Sequence, residues 1–286
     1  MGAAGIFARY ALTGAGPLAV SAARLCIASA ILIGAALLRP ERTRSTLDRG
    51  PRLTLALAGL ALAVHFGTWI ASLDLIPVAI STLLVATTPI WTALYDAAVL
   101  RRPLSRASAL AFAAGAAGLI VAVGFGRTPA PHPGMPLLGD ALALLGGAAF
   151  AVYLVLVRSV RDRASTRTIV AHTYTWAALA LVGAAALAHQ PPPPPAATAA
   201  WGGILAMALV SQLLGHTAIN ASLRWFSPSA VAFANLIEPL FAGLLALALF
   251  HESLGARSIA GGVVLLAAIA VVLKEDRSGL EIGSVQ

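Results

Sequence analysis

At 286 residues, with 59% hydrophobic and 10% charged side chains and a mean hydropathy of +0.88, the chain has too little polar surface for a water-soluble globule and reads as an all-α polytopic membrane protein. The net charge of +8 is scattered over short loops between apolar segments, which argues against a nucleic-acid-binding domain. The single cysteine, Cys26, lies in an apolar segment and excludes a disulfide framework and a cysteine-based metal site.

Spans of about 20 apolar residues fall at 1–13, 18–38, 53–73, 77–99, 104–124, 137–157, 168–188, 200–223, 229–250 and 257–273, which predicts ten transmembrane helices. Only about 12 apolar residues precede the Thr13–Pro17 turn, barely half of what a ~30 Å core needs at 1.5 Å per residue. Helix 1 is therefore either short or begins upstream. It has neither the basic n-region nor the cleavage pattern of a signal peptide. The stretches 127–136 and 189–198 are proline-rich and predict stiff spacers without helix, the first joining two halves.

Fifteen basic residues sit in one alternate set of loops: Arg39, Arg42, Arg44, Arg49 and Arg52; Arg101, Arg102 and Arg106; Arg158, Arg161, Arg163 and Arg167; Arg224; and Lys274 with Arg277. The other set holds Arg127 and Arg257. The positive-inside rule then places both termini in the cytoplasm, with five spans in each half. An odd count inverts the second half relative to the first. The expected domains are a first repeat over 1–126, a second over 137–274 and a cytoplasmic tail over 275–286.

The repeat is visible in the residues. ASLDLIPVAISTLLVATTPIWTALYDAAVLRRPLS, 71–105, returns 150 residues later as ASLRWFSPSAVAFANLIEPLFAGLLALALFHESLG. Seven of 35 paired positions are identical, and without a gap Ala71-Ser72-Leu73, Pro89 and Leu104 fall opposite Ala221-Ser222-Leu223, Pro239 and Leu254. Each copy places a proline midway along an apolar segment, so both halves are expected to break a helix at Pro89 and Pro239.

A charge at the bilayer centre costs roughly 2.5–3.5 kcal/mol on insertion scales, so each polar residue inside a span needs a reason. Glu238 lies mid-span before Pro239, with Asn235 on the same helical face. It is a candidate for substrate binding and proton coupling, or a neutral carboxyl bonded between helices. Span 8 carries Gln212, His216 and Asn220 at i, i+4 and i+8, a polar stripe that should face the bundle interior. His216 reads equally as a titrating group or as a buried histidine satisfied by a neighbour. The equivalent span 3 shows His65, Trp69 and Ser72; His65 pairs with position 215, next to His216. Thr88 pairs with Glu238 and is followed by Trp91, Thr92 and Tyr95, which suit an amphipathic organic solute or simply pack. The candidate substrate-binding set is His65, Trp69, Thr88, Trp91, Gln212, His216, Asn220, Asn235 and Glu238. Arg9 and Arg24, toward the outer ends of spans 1 and 2, either snorkel to the headgroups or offer a charge to an anionic group. Tyr10, Tyr153 and Tyr174 are further cavity or interface candidates, whereas Trp201 and Trp225 are expected as interfacial anchors.

On PLAVSAARL (17–25), on the 71–105 motif and on its partner ending NLIEPLFAGLLALALFHESLG, the chain resembles the drug/metabolite transporter superfamily in its EamA-type branch of ten-helix bacterial exporters. The resemblance covers essentially the whole chain. It implies secondary transport by alternating access, exporting amino acids, related metabolites or drugs across the bacterial inner membrane. It also implies a central cavity lined by helices 1, 3, 4, 6, 8 and 9, and aligns Pro89, Pro239, Arg24 and Arg9 with family positions. The family's helix 1 usually starts half a span earlier, often with a Trp-Gly pair absent here. Proton exchange through Glu238 is the first expectation for energy coupling and facilitated diffusion the second.

An intramembrane enzyme is the rival class. HESLG (251–255) lacks the second histidine of a zinc site, and no G-x-S-x-G occurs. Asp96 and Asp140 are placed near opposite faces, too far apart for an aspartyl dyad. A channel would need a filter-like loop at membrane depth, which the sequence does not show. No cofactor and no metal is expected. The partners are a small-molecule solute and the lipid bilayer, not nucleic acid, and a monomer is compatible with this layout.

Overall fold

The computed structural model describes residues 2–38, 48–99, 101, 106–124, 135–235, 238–251 and 255–283. The basic loop 39–47, most of the first proline-rich linker, and Arg102, Leu104 and Leu254 lie outside them. Among the described residues the structure is helical, without strands. The segments are α1 (Ala4–Leu12), α2 (Pro17–Leu38), α3 (Arg49–Leu75), α4 (Val78–Val85), α5 (Thr88–Ala98), α6 (Arg106–Gly124), α7 (Pro136–Val160), α8 (Thr166–Leu187), α9 (Thr198–Ala206), a π segment (Met207–His216), α10 (Thr217–Ser222), α11 (Pro228–Ala234), α12 (Glu238–Phe250) and α13 (Ala256–Gly283).

Among the described residues six stretches are long and apolar enough to cross a bilayer by length and composition: 17–38, 49–75, 78–98, 136–160, 166–187 and 198–222. Their outward residues, such as Leu57, Leu60 and Val64 of α3 or Leu209, Val210 and Leu214 of the π segment, are apolar and exposed. That is the surface hydrocarbon would solvate. Helix α1 is only nine residues long. Helix α13 runs unbroken to Gly283, through most of the expected tail.

Pro89 and Pro239 do not kink continuous helices. Each stands second in a new segment, α5 or α12, the first after a break at 86–87 and the second after α11 has ended at Ala234. Proline lacks the N–H that a helix interior must bond, but in the first turn that N–H has no intrahelical partner anyway. The breaks are 150 residues apart. So are two exposed residues that follow α5 and α12, Arg101 and His251, which share a left-handed φ of 54°. Contacts between elements repeat the correspondence: α3 packs on α7 as α9 packs on α1, while α2 pairs with α8 and α6 with α13.

Close approach depends on glycine at defined points. A Cβ on Gly203 would stand 2.4 Å from the Phe7 carbonyl oxygen of α1, and one on Gly59 2.5 Å from the Trp176 Cβ of α8. Lipid supplies no hydrophobic drive between helices, so such backbone contact is what packs them. The second proline-rich stretch is non-helical over 190–194, as expected, and it caps α2. Gln190 Oε1 accepts from the Leu18 and Ala19 amides at 2.8 and 3.4 Å, satisfying donors that a helix start leaves free.

Candidate functional site

The two helix breaks meet at one internal cavity. Its wall includes Thr88, at the start of α5, and Glu238 with Pro239, at the start of α12, together with Asn235 from the end of the preceding segment. His65 and Trp69 of α3, Thr82 of α4, Phe150 of α7 and His216 of the π segment complete its polar and aromatic lining. Six of the nine candidate residues therefore converge: His65, Trp69, Thr88, His216, Asn235 and Glu238. The cavity leaves about 40 Å³ for the centres of water-sized spheres, room for a few waters and well short of a solute-sized pocket.

Two consecutive glycines of α7 fix the first-half groups. His65 Nδ1 lies 2.9 Å from the Gly146 carbonyl oxygen, so that nitrogen carries the proton and donates. Thr88 Oγ1 donates to Val85 O at 2.8 Å and to Gly147 O at 3.2 Å. A side chain at either glycine would intrude: Cβ atoms would fall 3.2 Å from Thr68 Oγ1 and 3.0 Å from Val85 O.

The rings form a continuous wall. His65 stacks on Phe150 at 4.7 Å and lies parallel to Trp69 at 6.1 Å. His216 meets Phe66 and Phe150 edge-on at 5.0 and 5.5 Å, and the two histidine rings are 6.2 Å apart. Edge-to-face and offset contacts at these separations are favourable beyond area burial. Trp69 Nε1 and His216 Nδ1 are buried without a hydrogen-bond partner.

Three candidates lie elsewhere. Trp91 is 37% exposed and donates Nε1–H to Thr87 Oγ1 at 3.1 Å, away from the cavity lining. Gln212 and Asn220 are fully buried, so the span 8 stripe does face inward, but neither lines the cavity. Gln212 Oε1 accepts from Arg24 Nη2 at 2.5 Å, and Asn220 Oδ1 accepts from the Tyr153 hydroxyl at 2.8 Å. The divergence of Gln212 from His216 has a cause in the winding. The Thr217 amide bonds to the Gln212 carbonyl, an i→i+5 contact, so residues four apart no longer stack on one face here.

Arg24 overturns its snorkelling reading. It is 0% exposed on α2, with its guanidinium 3.9 Å over the Phe66 ring. The rule that singled out Glu238, a charge inside an apolar helix, applied equally to Arg24. Arg9 is half-buried against Phe250. Phe150 was legible only as one face of α7 with Gly146 and Tyr153. Tyr153 and Tyr174 are fully buried, whereas Tyr10 is 41% exposed. No group of three or more metal-ligating side chains occurs among the described residues.

No curated protein matches the chain. A protein of known crystal structure aligns over 96% of each chain with a TM-score of 0.68 at 18% sequence identity, a likeness of fold alone. The family model of the EamA-like transporters matches twice, over residues 1–124 and 137–274, nearly the whole sequence. This membrane protein belongs to the EamA-like transporter family.

Proposed function

We propose that this protein is a secondary active transporter exporting small organic solutes, amino acids, related metabolites or drugs, across the bacterial inner membrane by alternating access. Ten helices in two inverted five-helix halves, 1–126 and 137–274, rock about the midplane cavity, with both termini cytoplasmic. The observation that carries this reading is the meeting of two discontinuous helices, broken 150 residues apart, at a cavity that holds a carboxyl group. Broken helices at mid-membrane are how secondary transporters expose backbone and charge to a solute. The left-handed pair Arg101 and His251 and the matched helix pairings support two equivalent halves. The small cavity supports motion, because a solute enters only if the halves separate.

Glu238 is the proposed proton site, and His65, Trp69, Thr88, His216 and Asn235 the solute contacts. The test is counterflow in proteoliposomes with a pool of labelled amino acids, with and without an imposed pH gradient. Saturable exchange that responds to the gradient is expected, and Glu238→Gln should abolish the response. Full pH-driven uptake by Glu238→Gln would remove the coupling role. Exchange indifferent to pH in the wild type would indicate facilitated diffusion.

A further inference from the structure

The cycle just proposed leaves a buried cation unexplained. Arg24 gives Nη2 to the Gln212 carboxamide oxygen, Nη1 to Met207 Sδ at 3.8 Å, and its face to Phe66. Its Nε has no partner, and no carboxylate among the described residues reaches ion-pair distance. A guanidinium sealed from water ordinarily needs an anion, because neutral acceptors repay little of its lost hydration. The shortfall extends to its neighbours. Gln212 Nε2 is also buried and unpartnered. The cluster thus has idle donors and is short of acceptors. One positive charge among neutral donors is balanced by a singly charged group with two oxygens.

We propose that Arg24 is a carboxylate-binding subsite of the transport cavity, occupied in this conformation by the Gln212 side-chain oxygen, which the carboxylate of the transported solute displaces. The proposal rests on the transport reading and names the solute's chemistry. Gln212 is suited to leave because the π segment carries it, a winding that is rare and recurs at functional sites. Phe66 joins Arg24 to the cavity, its ring 3.9 Å from the guanidinium and 4.7 and 5.0 Å from the cavity rings of His65 and His216. Glu238 in the same cavity restricts the site further. The solute either brings a cationic group for that carboxyl or binds with Glu238 protonated.

The experiment is calorimetric titration of the full-length protein in lipid nanodiscs with three matched pairs: phenylalanine and phenylalaninamide, leucine and leucinamide, 3-phenylpropionate and 3-phenylpropionamide. In the wild type at least one carboxylate should bind about tenfold or more tighter than its amide, the scale of one charge-assisted hydrogen bond. Gln212→Glu installs a permanent carboxylate on Arg24. It should raise the melting temperature while weakening carboxylate binding at least tenfold. Gln212→Ala should strengthen carboxylate binding, and Arg24→Gln should erase the preference. A purely structural Arg24–Gln212 contact predicts instead that Gln212→Ala lowers the melting temperature and leaves the ratio unchanged. That result, equal binding of acid and amide, or no binding by any of the three carboxylates overturns the subsite. Carboxylate binding with no counterflow of any solute would keep the subsite and sink the exporter reading; counterflow confined to solutes without carboxylates would do the reverse.

Discussion

At the scale of single residues, the polar groups in the membrane core divide by what they touch. His65 and Thr88 spend their donors on the Gly146 and Gly147 carbonyls, which holds both side chains in the cavity wall. Asn220 is committed on both sides: Oδ1 accepts from Tyr153, and Nδ2 donates to the His216 carbonyl at 2.7 Å. A carboxamide so occupied has little to offer a solute. Tyr153→Phe should therefore lower stability by about 1 kcal/mol, the net worth of a typical buried hydrogen bond, with the KM for the exchanged solute unchanged. Thermal unfolding and counterflow on the same preparation would check it. A shifted KM at unaltered stability would return Asn220 to the binding site.

At the scale of elements, the second half reaches the cavity by a device that the first half lacks. Helix α3 is α-helical throughout, whereas its counterpart over 198–222 contains the ten-residue π segment. In this wider turn Met207 and Gln212, or Ser211 and His216, share the buried side at a spacing of five, while Leu209 and Leu214 share the exposed one. The extra residue per turn brings His216, rather than Gly215, opposite His65. Deleting Leu214, which is 69% exposed, should return the segment to α winding and swing Gln212 and His216 out of register. Counterflow should fall at least tenfold in protein that still purifies as a folded species, while Leu214→Ala keeps wild-type transport. A deletion variant with full activity would mean that the π winding positions nothing.

The whole molecule poses the question of inversion. If five crossings separate equivalent positions, Arg101 and His251 face opposite sides of the membrane although they occupy the same place in each half. Both are exposed and follow their helices in the same left-handed geometry, so a cysteine at either should be reachable by a thiol reagent. With Cys26 replaced by Ala, an impermeant maleimide should label His251→Cys in intact cells. It should reach Arg101→Cys only after permeabilisation. Labelling of both from one side would refute the odd count and the inverted arrangement together.

Composition, the apolar spans and the 150-residue repeat determined by themselves that this is an all-helical membrane protein, and they located the helix-breaking prolines and the carboxyl beside one of them; the quoted motifs carried the resemblance to the EamA-like family that the family model shows. These features are legible because they are local or periodic. Hydrocarbon obliges every span to satisfy its own backbone, proline interrupts a helix wherever it falls, and a repeat shows in spacing even at low identity. What the tertiary structure decided is which polar residues share a space. Gln212, His216 and Asn220 look like one stripe under α-helical winding, but a π stretch, which leaves no periodic mark in ten residues, parts Gln212 from His216, and Asn220 is taken up by Tyr153. Arg24 looks like a residue that reaches for the headgroups, and only the packing of α2 against the π segment and Phe66 encloses it. The fate of a polar side chain in the membrane is set by the elements that close over it, and those come from distant parts of the chain.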